Sequence, residues 1–518
     1  MKRLKHVLWI TLLAGPMLLT IGSCKKFLNR EPLTATATDL QQGALESQSL
    51  GLYSTLRSYA GFSSLPWLDF NSIRDDDAQK GSSTTDGAEI NTEFESFAYT
   101  KDDWATDTYW NDHYYMINLT NTELHVADSL KVKDQASLQN VGEACFFRAY
   151  SYFELVKAYG DVPLLNFYYT NPKQALLPKS PAATIYALID SDLTVASQYL
   201  PLTWAVNGSN KYPGRVTKGS ANTLWARTYL LRSNWSRVLA LTSQVIASNQ
   251  YSLSANFTDI WKDGLSGAGK NGPESIFEMQ ANVGANGTND NGTAWGTCQQ
   301  VRQGGASVTW NLGWGWNVPT GVLDAAWDPT DPRKQMTILY SGQFDGGGAT
   351  GGYGATLPAY SPGSGLDQPM WNKKVYSDPQ MRAFTGEING AGAAQWINHR
   401  ILRYADVILM NAEAANETGD GATAEAMLEK IRARARGTNN AILPHVTFTT
   451  QAAMRTAIKN ERRWEFAMEG YRFDDLVRWG DAVTVLGGLG YQPKNALYPI
   501  PQPAIDLSGG VLKQNPNY

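Results

Sequence analysis

The sequence predicts a mainly α-helical protein in which stacked helical hairpins form the body and a long, loop-rich insertion interrupts them. Three pairs of segments carry apolar residues at spacings of three and four, the period of a helix that is buried on one face. Between the second and third pairs, residues 255–395 are rich in Gly, Asn, Thr and Trp and follow no helical or strand period. Because a structureless loop of that length is uncommon in a compact domain, the insertion is predicted to pack as irregular segments and short strands.

The individual helices follow from spacing and from capping residues. They are predicted from Asp39, as N-cap, to about Tyr59, from about Thr108 to Val126, and in the pairs Glu143–Phe153 with Pro181–Leu200, Lys218–Leu230 with Trp235–Ser248, and Leu402–Glu417 with Ala422–Arg436. The segment from Gly61 to about Lys101 is predicted to be a polar loop. In each opening helix small residues alternate with aromatic or leucine residues, which lets helices stack closely, as in tetratricopeptide-like helical repeats. Because each repeat of this kind buries its apolar surface only by packing on its neighbours, residues 46–518 are predicted to form one domain.

The N-terminus is predicted to direct export and to carry a lipid. A short basic stretch precedes the apolar segment Val7–Ile21, which is too short and too interrupted for a membrane span. The segment ends in Ile21-Gly22-Ser23-Cys24, a small-residue pattern that resembles a bacterial lipobox. Residues 1–23 are therefore predicted to be a lipoprotein signal peptide, Cys24 the lipidated residue, and residues 24–45 a lipidated tether. The alternative is an ordinary cleaved secretory signal followed by an incidental cysteine.

The composition argues against nucleic acid as a partner and against a cofactor. The net charge is −4 and the sequence pI is about 5.8, so the chain lacks the basic surface that nucleic-acid binding needs. Its five histidines include no pair at metal-ligand spacing, and no cofactor is expected. Cys145 and Cys298 allow one disulfide, and whether they pair is left open; Cys145 lies in a helical stretch, where it is expected to act as a small buried hydrophobe.

An aromatic loop in the insertion is the principal candidate for ligand binding. The chain has 17 Trp and 47 Gly, and the run Trp310-Asn311-Leu312-Gly313-Trp314-Gly315-Trp316-Asn317 brings the two residue types together. The glycines relax the backbone so that the indoles can be presented together, and Asn311 offers both donors and acceptors to sugar hydroxyls. Because a flat ring covers the C–H face of a pyranose, Trp310, Asn311 and Trp314 are predicted to bind a glycan. Trp316, near the end of this run, has a second interpretation, in which it packs in the core. Further candidate rings lie at Trp67 and Trp295.

Two acidic clusters are open to a chemical or a structural interpretation. Arg74-Asp75-Asp76-Asp77 offers oxygen ligands to a cation such as Ca²⁺ but lacks the spaced pattern of a calcium loop, so cation binding is left open. Glu461 and Glu465 share one helix face and invite comparison with the carboxylate pair of a glycoside hydrolase. Arginines close in sequence, among them Arg462 and Arg463, would keep both carboxylates ionised, so a structural salt-bridge network is the preferred interpretation.

The most specific signals are short motifs spread over essentially the whole mature chain. In order they are Trp110 through Ile117 with Asn121, Glu143 through Pro163, Asp331-Pro332-Arg333, Leu402 through Ala414, Leu428 through Ala435, Asn460 through Phe466, Gly470 through Gly480, Pro499-Ile500-Pro501 and Gln514 through Tyr518. Placed behind a lipobox and in this order, they resemble the SusD/RagB family, the nutrient-binding outer-membrane lipoproteins of Bacteroidota.

The resemblance implies a SusD-like fold and a role as lid over a SusC-type TonB-dependent transporter, on the cell-surface side of the outer membrane. It also implies that loops, and not the repeat scaffold, bind the ligand, and it places Arg74, Asp75 and Asp77 in an early loop region that contributes to binding. The expected function is capture of an oligosaccharide for the transporter, without enzymatic activity. Two alternatives stay open: the same architecture binding peptides or other nutrients, and a lipoprotein glycoside hydrolase.

Overall fold

The segments with helical spacing in the sequence form the helices of the structure. A computed structural model describes residues 45–206, 209–210, 212–263, 269–282, 292–304, 309–380, 387–388, 391–392 and 396–518. Most of the regular secondary structure in these residues is helical and the strands are few, which confirms the mainly α-helical, tetratricopeptide-like prediction. The predicted signal peptide, Cys24 and the predicted helix start at Asp39 lie outside the described residues.

The helix predicted at Glu143–Phe153 extends to Gln135 and Tyr159, whereas the other members of the predicted pairs agree to within two residues with helices of the structure. The helices have the following bounds. They are α1 Glu46–Ser58, α2 Ala60–Ser63, α3 Leu65–Asn71, α4 Ala88–Ile90, α5 Trp104–Leu130, α6 Gln135–Tyr159, α7 Ala182–Tyr199, α8 Lys218–Leu231, α9 Trp235–Ala247, α10 Ala294–Gln299, α11 Gly321–Ala326, α12 Arg333–Thr337, α13 Tyr404–Glu417, α14 Gly421–Arg436, α15 Gln451–Glu465, α16 Arg472–Arg478, α17 Ala482–Leu486 and α18 Gln502–Leu507.

The strands are two to five residues long and pair antiparallel. They are β1 Ala78–Gly81 with β7 Trp316–Pro319, β2 Val162–Pro163 with β3 Lys179–Ser180, β4 Ala205–Val206 with β5 Ser209–Asn210, β6 Ser275–Met279 with β12 His399–Arg403, β8 Ile338–Tyr340 with β9 Met370–Asn372, and β10 Glu387–Ile388 with β11 Ala391–Gly392.

Local side chains begin and end the long helices. The Asp103 carboxylate accepts a hydrogen bond from the backbone N–H of Ala105 at 2.9 Å and begins α5. The Asp134 carboxylate does the same for α6, from Ser137 N–H at 2.8 Å. At the other end of α6, Gly160 has φ 72°, a conformation that a residue without Cβ adopts at no steric cost.

The helices stack in sequence order, as the repeat pattern predicts. α5 packs on α6, α6 on α7, α7 on α8, α8 on α9, α9 on α13, and α13 on both α14 and α15. From Gly142 to Tyr159, α6 is buried on nearly every side, which places it at the centre of the body. A Cβ at Gly142 would lie 3.1 Å from Leu200 Cγ, so the small residue is what permits this close approach. The three predicted hairpins are confirmed.

Two predictions about local structure are wrong. The segment from Gly61 to Lys101 is no polar loop: it contains α2, α3, β1 and α4 and buries a row of apolar residues. Phe70 stacks between Tyr109, at 4.1 Å, and Tyr498, at 3.9 Å, so the segment fills the space between α5 and the C-terminal region. Leu402, predicted to open a helix, lies in β12 because its backbone pairs with β6.

The insertion packs as short strands and turns against the helical body, as predicted. β7 pairs with β1 and thereby joins the insertion to the early part of the chain. A second hydrophobic core, here called the insertion core, holds it together; it consists of Val301, Trp310, Leu312, Val318, Leu339, Leu357, Leu366, Trp371 and Tyr376.

The two cysteines outside the N-terminal segment are free thiols. Cys145 and Cys298 are both buried. Burial raises the pKa of the Cys298 thiol to about 12. The question of pairing that the sequence left open is thus answered, and the buried, apolar role expected of Cys145 is confirmed.

No helix among the residues that the structure describes is both long and apolar enough to cross a membrane.

A carboxyl group in the middle of α5 makes the stability of the fold depend on pH. Glu123 is fully buried and accepts a hydrogen bond from Ser49 Oγ at 2.5 Å. Burial is the main cause that raises its pKa to about 8. Because an unfolded glutamate has a pKa of about 4.3, the stability associated with this group is complete below that value. It is lost progressively as the pH rises from there through 8.

Replacing Glu123 by Gln should remove this dependence. The free energy of unfolding of wild type, relative to that of Glu123→Gln, is expected to fall steadily between pH 5 and pH 8, by ~1.4 kcal/mol per pH unit at most, and the melting temperature should fall with it. Thermal unfolding of both proteins across that range measures the effect, with the exposed Glu89→Gln as the control that should follow wild type. Parallel profiles for wild type and Glu123→Gln would contradict the argument.

Candidate ligand-binding face

The aromatic loop predicted to bind the ligand is divided between core and surface. Trp310 is 7% exposed and belongs to the insertion core. Trp316 is buried in β7, so its role in the core is confirmed. Asn311 and Trp314 are half-buried. Binding by Trp310 stays a prediction, but its ring has no open face of the size that stacking on a sugar needs.

Backbone hydrogen bonds hold this loop in one conformation. Trp314 N–H donates to Thr297 O at 2.8 Å, and Leu312 N–H donates to Val301 O at 2.9 Å. Gly315 has φ 74°, and a Cβ there would lie 2.9 Å from Arg302 Cβ, so only glycine fits. The glycines thus serve close packing rather than the loosening that the sequence suggested.

Trp67 and Trp295 lie together, but in the interior. Their ring centroids are 5.0 Å apart in an edge-to-face contact, and Trp295 stacks on His399 at 3.7 Å. Both indoles are more than nine-tenths buried. Burial lowers the pKa of His399 to about 3, so this ring is neutral and packs as an aromatic. The rings of Trp67, Trp295 and His399 thus connect α3, α10 and β12. Ligand binding by the two indoles stays a prediction.

Arg74, Asp75 and Asp77 are buried and have partners within the protein. Asp75 accepts backbone hydrogen bonds from Asp77, at 2.8 Å, and from Ala78, at 2.9 Å. Asp77 pairs with Arg463 at 3.0 Å. The Arg74 guanidinium lies over the Phe473 ring at 3.7 Å. These contacts tie the early segment to the C-terminal helices; a direct role in ligand binding stays a prediction.

The neighbouring Asp76 shares this arrangement. Its carboxylate accepts from Arg472 Nε at 2.8 Å and from Arg463 Nη2 at 2.9 Å. Burial alone would raise the pKa of Asp76, but the two arginines outweigh it and hold the pKa below its usual value. Among the described residues, no group of three or more His, Cys, Asp or Glu side chains is placed to hold a metal ion.

The glutamate pair on α15 forms a buried salt-bridge network, as the preferred interpretation had it. Arg333 Nη1 lies 2.7 Å from Glu461 Oε1 and 3.0 Å from Glu465 Oε2, and all three side chains are inaccessible to solvent. Burial opposes ionisation of Glu465, yet Arg434, Arg403 and Arg333 together hold its pKa well below the usual value. A general acid needs a raised pKa and access to the substrate, and Glu465 has neither.

The exposed rings of the insertion lie on a β-hairpin that the sequence reasoning missed. Phe344 bridges to Thr356, and Leu357 N–H donates to Gln343 O at 3.0 Å. Phe344 is 60% exposed and Tyr360 is 51% exposed. Thr356 is the bridge partner of Phe344, and Tyr360 follows four residues later in the same segment; these residues and Pro358 between them are here called the hairpin face. Leu357, next to Thr356, is buried in the insertion core, to which Trp310 also belongs.

The turn of the hairpin is built around one carboxylate. Asp345 accepts backbone hydrogen bonds from Tyr353 at 2.8 Å, Gly354 at 2.9 Å and Gly347 at 3.1 Å. Burial by itself would raise the pKa of Asp345, but these donors outweigh it and hold the pKa below its usual value. The Gly-rich run that follows Phe344 in the sequence is the signal that could have identified this turn. The hairpin face is therefore pre-formed.

A guanidinium group connects the neighbouring loops. Arg302 pairs with Asp86 at 2.6 Å and with Asp367 at 3.1 Å, and it also donates to Ser82 Oγ. Gly304 N–H donates to Gly365 O at 2.8 Å, which joins the same segments through the backbone. A further exposed indole, Trp104 at the start of α5, is 44% exposed.

Comparison with known proteins gives matches along most of the chain. Residues 273–496 match a family model described as the SusD family, and residues 63–230 match one described as starch-binding, associating with outer membrane. SusD-like protein P2 from Formosa agariphila is 25% identical over 461 residues, 86% of this chain and 87% of that protein.

Solved structures match over a similar extent. A laminarin-binding SusD-like protein has a TM-score of 0.73 and 26% identity, covering 92% of this chain and 99% of that one. The surface glycan-binding protein A from Bacteroides thetaiotaomicron, in complex with laminarihexaose, has a TM-score of 0.72 and 23% identity, covering 92% of this chain and 99% of that one.

Proposed function

Because this chain belongs to the SusD family, we propose that it is a non-enzymatic, lipid-anchored protein of the outer membrane that captures an oligosaccharide and passes it to a SusC-type transporter. The observation that carries the proposal is the pair of exposed rings, Phe344 and Tyr360, on the hairpin face. Exposed rings of this kind cost free energy in water, and covering them with the apolar face of a sugar recovers it.

The hairpin face suits a chain of sugar units. Tyr360 lies four residues beyond Thr356, the bridge partner of Phe344, so the backbone at Tyr360 lies up to roughly 13 Å further along this segment. Between them lie Thr356 and Pro358, which offer a hydroxyl and an apolar surface. Such a spacing favours an oligosaccharide over a monosaccharide, because a single pyranose does not reach both rings.

The absence of catalysis is supported by the state of the glutamate pair. Glu461 and Glu465 have no exposed surface and are neutralised by arginines, so neither is available to a glycosidic bond. The laminarin-binding relative makes β-glucan oligosaccharides the first ligands to try.

A panel of neutral hexasaccharides tests the proposal. Isothermal titration calorimetry with laminarihexaose, maltohexaose, cellohexaose and xylohexaose is expected to give heat with at least one of them, and none with unstructured peptides of similar length. Heat from the peptides alone would overturn the proposal in favour of peptide capture.

The anchor is tested at Cys24. Replacing Cys24 by Ala is expected to move the protein from the membrane fraction to the soluble fraction of the cell envelope, because two acyl chains contribute ~0.8 kcal/mol per buried CH₂ and the described part of the chain provides no spanning helix. Fractionation and the mass of the mature N-terminus measure this, with Cys145→Ala as the control that stays membrane-bound. Unchanged membrane association of Cys24→Ala would contradict lipidation at this residue.

A further inference from the structure

A concave surface lies on the helical body, separate from the insertion. It is a groove of about 550 Å³ between α5, the segment 163–177 and the C-terminal residues 504–512. Its floor is apolar and includes Leu165, Leu177 and Leu512. This volume is within the range of ~300–1,000 Å³ that small-molecule sites occupy.

One wall of the groove is a stripe along α5. Asn111, Tyr115 and Asn118 line it, at spacings of four and three residues, so they lie one above the other on the same helix face. Tyr115 is 41% exposed, and its ring stacks on Tyr59 at 4.8 Å with an interplanar angle of 22°. The stacking fixes the plane of the Tyr115 ring, and a carboxamide lies one helical turn to either side of it.

The walls are held together before any ligand binds. Tyr114 Oη donates to Pro163 O at 2.8 Å, and Asn121 Nδ2 donates to Leu165 O at 2.9 Å. Leu165 N–H in turn donates to Tyr152 Oη at 2.6 Å. Because these bonds fix the segment 163–165 against α5 and α6, binding would not have to order the groove.

The chemistry of the lining selects among ligands. Lys173 is the charged side chain in the lining, while Asn111, Asn118, Tyr115, Tyr169 and Ser508 provide amide and hydroxyl groups, so a neutral ligand rich in hydroxyls is favoured. An acyl chain would leave the carboxamides without partners, which costs free energy. An extended peptide needs a free strand edge, and the backbone at 162–165 is already paired with β3 and with side chains.

We propose that this groove is a second oligosaccharide-binding site, distinct from the hairpin face. A sugar unit packs on the Tyr115 ring and donates and accepts hydrogen bonds at Asn111 and Asn118. The inference rests on the proposed function, since it assigns to the groove the same class of ligand. It adds that one chain binds two oligosaccharide segments.

Four proteins test it: wild type, the groove variant Asn111→Ala/Tyr115→Ala, the hairpin variant Phe344→Ala/Tyr360→Ala, and the combination. Calorimetry with whichever hexasaccharide of the panel binds wild type is expected to give two sites in wild type, one in each double variant and none in the combination. Tyr168→Ala is the matched control, because Tyr168 is also 41% exposed and lies outside the groove lining.

The outcomes separate the two proposals. One site in wild type that the hairpin variant removes and the groove variant leaves unchanged would overturn the second site and keep the proposed function. Binding that the groove variant weakens at least tenfold, with an unchanged melting temperature, supports the groove. No heat from any hexasaccharide with wild type would overturn the proposed function and, with it, this inference.

Discussion

Replacing Glu465 by Gln is expected to lower the free energy of unfolding by about 3–5 kcal/mol, because it removes a buried negative charge that three buried arginines share. Glu465 accepts from Arg434 at 2.6 Å, from Arg403 at 3.1 Å and from Arg333 at 3.0 Å, and none of its side chain reaches solvent. Glutamine preserves the shape but not the charge, so the variant isolates the electrostatic contribution. Chemical denaturation monitored by Trp fluorescence measures the loss.

The same variant also tests the enzymatic alternative. Exposed Glu89→Gln is the control and should unfold as wild type does. The arginines hold the pKa of Glu465 well below its ordinary value, so the difference between wild type and variant should be complete above pH 5 and shrink as the pH falls into the acid range. Turnover of a polysaccharide by wild type that Glu465→Gln abolishes without loss of stability would contradict the structural role.

Removing both rings of the hairpin face is expected to weaken oligosaccharide binding at that face by about 30- to 100-fold. Covering the exposed part of each ring stabilises a complex by roughly 1–1.5 kcal/mol, and each 1.4 kcal/mol is a factor of ten in affinity. Phe344 and Tyr360 point away from the insertion core, so Phe344→Ala/Tyr360→Ala should leave the melting temperature unchanged. Titration with the hexasaccharide that binds wild type measures the affinity.

Two comparisons make this result interpretable. Val483→Ala removes an equally exposed apolar side chain from α17, outside the insertion, and should bind as wild type does. Trp310→Ala is expected to lower stability by about 3–5 kcal/mol, because it opens a cavity in the insertion core. Wild-type affinity in the hairpin variant, with loss of binding confined to Trp310 or Trp314 variants, would mean that the ligand binds the aromatic loop first predicted from the sequence.

The helical body could be predicted because its signals are short-range. Apolar residues at spacings of three and four indicate a helix from local sequence alone, so α5 and α6 could be located, although their caps, Asp103 and Asp134, were identified only in the structure. The structural role of Glu461 and Glu465 was predicted correctly, but their partners, Arg333, Arg403, Arg432 and Arg434, are 29 or more residues away in the chain and are not the adjacent Arg462 and Arg463. The early segment from Gly61 was misread because its apolar residues have partners that are far away, such as Tyr498 for Phe70.

Which aromatic side chains are exposed depends on the tertiary structure. Trp310 and Phe344 both lie near glycine-rich stretches, and nothing local distinguishes them; the first is buried in the insertion core and the second is exposed. Asp77 is separated from Arg463 by 386 residues, so no local pattern reveals that its charge is already neutralised. The sequence by itself thus determined the fold class and the family resemblance, which depend on local periodicity and ordered motifs. Exposure depends on which distant segment covers a residue, and only packing decides that.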